Sequence, residues 1–530
     1  MAFRFFTLIL IFATLFSLLG LNLYRLQVKK TDYYVERALA RNEVAAEEIR
    51  RGQIFFTDKH GGTIPIALNR DYPFIYAVPK EVENAALVAK VLAPIVREDE
   101  SELENDFNNK NSLYRLLLHK ASVEEVLGIK KLNLKGIYFS EKQYRFYPYN
   151  NLAAHLLGFV GVNDENGTPT GLYGLEKFYN GDLFEGTDLN LTIDRNLQAQ
   201  SEEILNSLVN EFSASGGTVI IEDPKTGKIL ALANLPNFDP SEYNKSPVTN
   251  FLNPAVSLVY EPGSVFKPIT MAAGIDSQSF TSSTTFYDSG SVTLNGKTIT
   301  NWDKKAHGQI TMANVIEQSV NTGAVFAEKL IGHEKFLNYL KNFGFGEESE
   351  IDLPDEVSGS LKNLEKKRGE AIDFAAASFG QGTAVTPIQM VNAFSVFANG
   401  GLLMRPYVNA HLEPDTQRRA ISAEAAKQVT EMMESAVEKA KLASIPGYRV
   451  AGKTGTAQVP DLKHGGYTDQ FLHTYIGFAP TSDPKFVILI KLDKPKANLA
   501  GETVVPAFRE LAGFVLNYYN VPPDKITENP

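Results

Sequence analysis

Tyr260-Glu261-Pro262-Gly263-Ser264-Val265-Phe266-Lys267 is the stretch from which the rest of this chain is read. Pro262-Gly263 predicts a sharp corner, and Ser264 to Ile275 predicts a helix whose Val265, Phe266, Ile269, Met271 and Ala272 cover most of its surface. A helix apolar nearly all round belongs in a core. Ser264 falls at its N-terminus, where backbone N–H groups without intrahelical partners make a positive end. Lys267 lies three residues on, on the same face and one turn deeper. A serine hydroxyl becomes a nucleophile when a base takes its proton. A lysine serves as that base once burial and neighbouring cations lower its pKa. The positive helix end then favours the negative charge that develops on attack. The same spacing also fits an N-cap serine followed by a solvated lysine, and about two Ser-x-x-Lys pairs are expected by chance at this length and ordinary usage. The motif therefore needs its neighbours.

At 530 residues the chain has room for more than one core. Its formal net charge of −10 argues against a nucleic-acid surface, which needs clustered basic residues. With no cysteine, disulfides, thiolate chemistry and cysteine-bound metals are excluded. The 8 histidines include no His-x-x-x-His pair, so no zinc site is expected.

Phe5 to Tyr24 is an uncharged run of the length that spans a bilayer core as a helix. No small-x-small cleavage pattern closes it, which predicts a retained anchor rather than a removed signal peptide. Arg4 precedes it, and Arg25, Lys29 and Lys30 follow. Charge counting on these flanks places the large domain in the cytoplasm, although long domains translocate largely regardless of charge. Residues 25 to about 48 predict a charged helix. Ile54 to Ala67 predicts strand, Gly61-Gly62 turn, strand. Helical periodicity covers Val82–Val96, Leu113–Leu118 and Val123–Ile129, with 97–111 as a solvated connection and Gly136–Phe139 as a strand. His155, among Ala and Leu, reads as a structural histidine.

From Leu189 the texture changes. Thr192–Leu208 has helical spacing, and Thr218–Ile221, a turn at 223–227 and Ile229–Ala233 predict a hairpin. A largely helical block runs from about 311 to 440, in which Thr386-Pro387 opens a helix and Asn399-Gly400-Gly401 closes it. Tyr448–Val459, Thr474–Ala479 and Phe486–Leu492 predict three strands, Ala507–Tyr519 a final helix, and 520–530 a flexible polar tail. The order suggests one sheet with helices on both faces.

Two further stretches carry chemistry. In Ser319-Val320-Asn321, the serine could relay a proton and the asparagine could both donate to and accept from an amide, although a polar helix terminus has the same look. In Lys453-Thr454-Gly455-Thr456, lysine supplies positive charge, the threonines suit a carboxylate, and glycine permits close approach of a substrate backbone; a plain turn at a strand end is the competing reading. Strand alternation puts Lys453 and the two threonines on opposite faces, so both reach one ligand only from an edge strand met side-on.

Ser-x-x-Lys, Ser-x-Asn and Lys-Thr-Gly in this order form the motif set of serine β-lactamases and penicillin-binding proteins. Glu261-Pro262-Gly263, Asn301-Trp302-Asp303, Gly380-Gln381-Gly382 and Gly477-Phe478-Ala479-Pro480 are similar to that family too. Arg50-Arg51-Gly52, Arg145 with Tyr147-Pro148, and Gly174-Leu175-Glu176 resemble the N-terminal module of class B (monofunctional) penicillin-binding proteins. Phe56-Thr57, Lys59 and the charge flanks of the anchor depart from the usual pattern. The resemblance implies an α/β (α+β) transpeptidase fold: a mostly antiparallel sheet flanked by helices, with an elongated pedestal module and a transmembrane helix. The expected divisions are a tail over 1–4, an anchor over 5–24, a pedestal or dimerisation-like module over 25–188, a transpeptidase domain over 189–519 and a tail over 520–530.

By resemblance, the activity is that of a membrane-anchored D,D-transpeptidase that crosslinks peptidoglycan stem peptides outside the cell membrane and is acylated by β-lactams. Ser264 is then the nucleophile and Lys267 its base. The backbone N–H groups of Ser264 and Thr456 form the oxyanion hole, and Ser319, positioned by Lys453, passes a proton to the leaving D-alanine. Thr454 and Thr456 hold the carboxylate beside Gly455, and Asn321 holds the stem-peptide amide. No metal or organic cofactor is implied. A polytopic glycosyltransferase and other proteins of the division or elongation machinery are the implied partners, with a slight lean to division. A carboxypeptidase or β-lactamase-type hydrolase, and a catalytically dispensable scaffold, are the competing functions.

Overall fold

The computed structural model describes residues 2–25, 50–162, 169–366, 370–461 and 463–525, which group into two units. The smaller draws on Met1–Arg51, Asn69–Phe146 and Phe184–Gly186, the larger on Gly52–Leu68, Tyr147–Leu183 and Thr187–Pro530. This interleaving contrasts with the expected single break between 188 and 189.

A turn through Gly61-Gly62 joins β1 (Ile54–Thr57) to β2 (Thr63–Ala77), pairing Thr57 with Thr63 and Phe56 with Ile64, as the strand–turn–strand reading expects. In the smaller unit, α2 (Ala85–Val96), α3 (Glu100–Asn108) and α4 (Val123–Leu132) share a core with Ile75, Ala77 and Ile137. Two expectations fail here. Residues 97–111 are no solvated connection, because they contain α3. Asp99 caps that helix by accepting from the N–H groups of Ser101 and Glu102 at 2.8 and 3.2 Å. Leu103 and Phe107, four residues apart and fully buried, seat it. Leu113–Leu118 is not helical: Arg115–Leu118 forms strand β3, which pairs with Ile75–Ala77 of β2 and sends Leu117 into the core. Strand pairing there overrides the helical propensity of a leucine run. The strand expected from Gly136 extends further, as β4 (Ile137–Phe146), and also pairs with β2.

α1 (Ala2–Tyr24) is helical, with Phe6, Phe16 and Leu21 exposed. Counting only residues whose side chains are described, no helix is long and apolar enough to cross a membrane. The charged helix expected over 25 to about 48 lies outside the described residues, Arg25 apart.

In the larger unit, β5 (Leu189–Asp194) runs parallel to β1, and Asp194 then caps α5 (Arg195–Glu211). The main sheet is antiparallel and combines β6 (Gly216–Glu222), β7 (Ile229–Leu235), β8 (Ala451–Pro460), β9 (Tyr467–Ala479) and β10 (Phe486–Asp493) in the order β8-β9-β10-β6-β7. Alternation along the strands feeds two cores. Val219, Ile221, Ile488 and Ile490 face α5 and the final helix α11 (Val504–Tyr518). Ile220, Val487 and Leu489 face the other way, into the core that holds α6 (Lys267–Asp276), α7 (Met312–Glu317), α8 (Asn321–Ile331), α9 (Pro387–Ala398) and α10 (Ala423–Ala440). A sheet buried on both faces explains why β6 shows no exposed face. Thr386 and Gln389 form a capping box at the start of α9, as Thr386-Pro387 predicts.

The tail expected to be flexible is instead tied to the larger unit as far as residue 524: Val521 is buried, and the Asp524 carboxylate accepts from Arg449 N–H and Ser482 Oγ at 2.8 Å each. His155 is buried edge-on to Phe238, and burial pushes its pKa down to about 4, which keeps it neutral.

Candidate active site

The helix expected from Ser264 begins as a tighter turn. Gly263–Phe266 is 3-10, and the α-helix proper starts at Lys267. Pro268 explains the switch: it has no N–H to give the Ser264 carbonyl, so Lys267 N–H takes that carbonyl in a shorter bond. Gly263 sits at φ +62°, which glycine adopts without strain, and its N–H donates to Gly380 O at 2.9 Å. Glu261 makes two further ties. Its carboxylate accepts from Gly382 N–H at 3.0 Å and from the Tyr467 hydroxyl at 2.9 Å.

The Ser264 hydroxyl lies 2.9 Å from Lys267 Nζ, and Lys267 is fully buried. That nitrogen also lies 2.7 Å from Ser319 O, 2.8 Å from Asn321 Oδ1 and 3.1 Å from Ser319 Oγ. The carbonyl and amide oxygens can only accept, so a neutral amine gives its two N–H bonds to them and keeps its lone pair for a hydroxyl. Burial, and then the nearby Lys453 charge, hold Lys267 well below the usual lysine range.

Ser319 stands between α7 and α8 in a left-handed conformation, φ +57°, unusual for a residue with a side chain. This backbone turns both its carbonyl and its hydroxyl toward Lys267. The hydroxyl is also 3.1 Å from Lys453 Nζ. Lys453 is buried with no carboxylate partner among the described residues, and burial pushes its pKa down to about 7. Its remaining contacts are Thr454 O at 3.1 Å and Thr454 Oγ1 at 3.3 Å. Strand β8, which carries Lys453 to Thr456, is the edge of the sheet, the arrangement that lets both of its faces meet one ligand.

The three candidate segments therefore meet around Lys267 and Ser319, but two of the eight candidate residues differ in what they do. Gly455 meets the turn that carries Ser264: a Cβ there would lie 3.0 Å from Pro262 O and 3.1 Å from Val265 Cγ1. Asn321, expected to hold a substrate amide, has both ends of its side chain engaged inside the protein, Oδ1 with Lys267 and Nδ2 with Thr300 O at 2.9 Å.

Sequence reasoning missed the residues that place α8. Val320 offers no side-chain cap, and Asn301 supplies one from twenty residues away, its Oδ1 accepting from Asn321 and Thr322 N–H at 3.1 and 3.2 Å. Buried Asp288 in turn accepts from Asn301 Nδ2 at 2.8 Å and Thr322 Oγ1 at 2.6 Å. Asn301-Trp302-Asp303 gave a signal as a family-like stretch; Asp288 gave none.

Residues 217–513 match the penicillin binding protein transpeptidase domain, and residues 47–219 match the penicillin-binding protein dimerisation domain. The chain belongs to the penicillin-binding protein family, in its class B branch. It is 34% identical over 499 residues to stage V sporulation protein D of Bacillus subtilis, spanning 85% of this chain and 75% of that one. It is 28% identical over 542 residues to the peptidoglycan D,D-transpeptidase FtsI of Escherichia coli K12, spanning 95% and 89%. Among solved structures, penicillin binding protein 3 of Mycobacterium tuberculosis in its apo form superposes with a TM-score of 0.67 at 29% identity, covering 72% of this chain and 92% of that one.

Proposed function

We propose that the chain is a peptidoglycan D,D-transpeptidase working through an acyl-enzyme on Ser264. The single observation behind this is the unbroken set of contacts from Ser264 through Lys267 and Ser319 to Lys453. Lys267 Nζ takes the Ser264 proton as Oγ attacks the carbonyl carbon between two terminal D-alanines. The oxyanion that forms is met by the backbone N–H groups of Ser264 and Thr456, on the two segments that Gly455 brings together; each such donor contributes about 10²–10³ in rate. As the C–N bond breaks, the proton on Lys267 passes through the Ser319 hydroxyl to the departing D-alanine nitrogen. Lys453, Thr454 and Thr456 receive the D-alanine carboxylate. An amine of a second stem then attacks the ester, frees Ser264 and completes the crosslink. Penicillins would enter the same path and stop at the acyl-enzyme.

Anchoring by residues 5–24, with the larger unit on the outer side of the membrane and a polytopic glycosyltransferase as partner, belongs to the same reading. It is supported by the uncharged run in the sequence, the helical backbone of α1 and the family match. A fragment lacking residues 1–30 should be labelled covalently by fluorescent penicillin, and Ser264→Ala should remove the label. Label retained in that variant would overturn the nucleophile assignment, and rapid release of the label from the parent would place the chain among hydrolases.

A further inference from the structure

Thr456 is not left to orient its hydroxyl by itself. Ala500 N–H donates to Thr456 Oγ1 at 3.2 Å. An oxygen that accepts on one side must send its own O–H elsewhere, and among the described residues no acceptor takes that proton. Ala500 opens a short 3-10 turn, Ala500–Glu502, closed by Thr503 N–H donating to Ala500 O at 3.2 Å. The Thr503 hydroxyl lies 2.9 Å from His473 Nδ1. His473 is fully buried and is the cross-strand partner of Thr456 between β8 and β9. Thr456, His473, Thr503 and Ala500 thus form a closed circuit behind the edge strand. None of its outer three members belongs to the three catalytic motifs.

We propose that the 500–503 turn, clamped by His473, is a positioning element that presets Thr456 as a hydrogen-bond donor and thereby makes the site selective for ligands ending in a carboxylate. Two features favour this over a purely structural role. The circuit ends on a half-buried threonine of the edge strand rather than in the core. It also leaves the threonine with a proton to give and no acceptor among the described residues to take it, which suits an anionic oxygen and not a second donor. The inference rests on the proposed acyl-transfer reading of the site.

Ala500→Pro tests it from the turn. Leu499 before it is extended, φ −133° and ψ 141°, as a residue preceding proline must be, and proline fits the first position of a helical turn. The change deletes the N–H that Thr456 uses and also sets the ring Cδ against Thr456 Oγ1, so it displaces the hydroxyl as well as freeing it; Thr503→Val adds no atom there and isolates the hydrogen bond. Thr503→Val loosens the clamp from the other end and serves if the proline variant fails to fold. The measurement is the second-order rate of Ser264 acylation by benzylpenicillin and by its methyl ester, which lacks the carboxylate. The parent should prefer the acid, and Thr456→Val sets how much of that preference the hydroxyl carries. Both turn variants should lose about tenfold with the acid, the scale of a bond to a charged group, and change less than about twofold with the ester, which cannot form it. Equal losses with acid and ester, or no loss with either, would overturn the proposal. Failure of both probes to acylate the parent would instead overturn the reading of the site.

Discussion

Two lysines share one serine hydroxyl here, and their protonation states pull apart. Lys267 acts as a base only when neutral. Burial and the neighbouring Lys453 cation depress its pKa, so activity falls as pH drops through that pKa and the amine is protonated. Lys453 must be charged to hold Ser319 and a carboxylate, and burial sets it at about 7, so activity falls as pH rises past that value. Acylation by penicillin should therefore be bell-shaped in pH. Its alkaline limb should sit near 7 in the free enzyme and move upward once a bound carboxylate favours the cation. Lys453→Met should erase that limb; its persistence in the variant would assign it to another group. Lys267→Ala should slow acylation by at least about 10², the usual share of a general base, and Lys267→Arg should do no better, because guanidinium keeps its proton. Residue spacing alone pointed to Ser264 and Lys267, because three residues along a helical turn must share a face. It could not show that Asn321 serves the lysine, since an amide side chain suits substrate and protein alike.

Elements rather than single residues hold the two serines in register. Ser264 depends on a turn that Pro268 tightens and Glu261 ties to the 380–382 loop and to Tyr467 at the start of β9. Tyr467→Phe removes one arm of that tie and leaves the other. It should lower the acylation rate several-fold while the parent's circular dichroism is retained, and an unchanged rate would show that the turn stands without it. Ser319 depends on the start of α8, which borrows its cap from Asn301. Asn301→Ala should destabilise the fold by about 1 kcal/mol, the common size of a lost cap, measured by urea unfolding, and should slow acylation as Ser319 loses its strained backbone. Local patterns made most helices and the main sheet readable, because Thr386-Pro387 and the alternation through β10 state their structure within a few residues. They failed where support comes from far along the chain. α3 hides two core residues among acids and asparagines, and β3 takes its form from β2 rather than from its own leucines.

The chain as a whole divides where no composition shift marks it. Residues 52–68 and 147–183 group with the transpeptidase-bearing unit although 69–146 does not, and only long-range pairing such as β1 with β5 reveals that. The N-terminus is the opposite case, where the proposal of an anchor rests on the sequence. Twenty uncharged residues from Phe5 to Tyr24 at 1.5 Å per residue reach about 30 Å, the thickness of a hydrocarbon core. Anchoring of that kind rests on apolar burial, which salt does not screen, whereas adsorption through charged residues fades as the Debye length shrinks. Full-length chain reconstituted with phospholipid vesicles should float with them at low and at 1 M salt alike. A variant lacking residues 1–25 should stay in solution while Ser264 accepts penicillin at a rate within about twofold of the parent, since the chemistry lies in a separate unit. Release of the full chain by salt, or flotation of the shortened one, would remove residues 5–24 as the anchor and leave the catalytic reading standing.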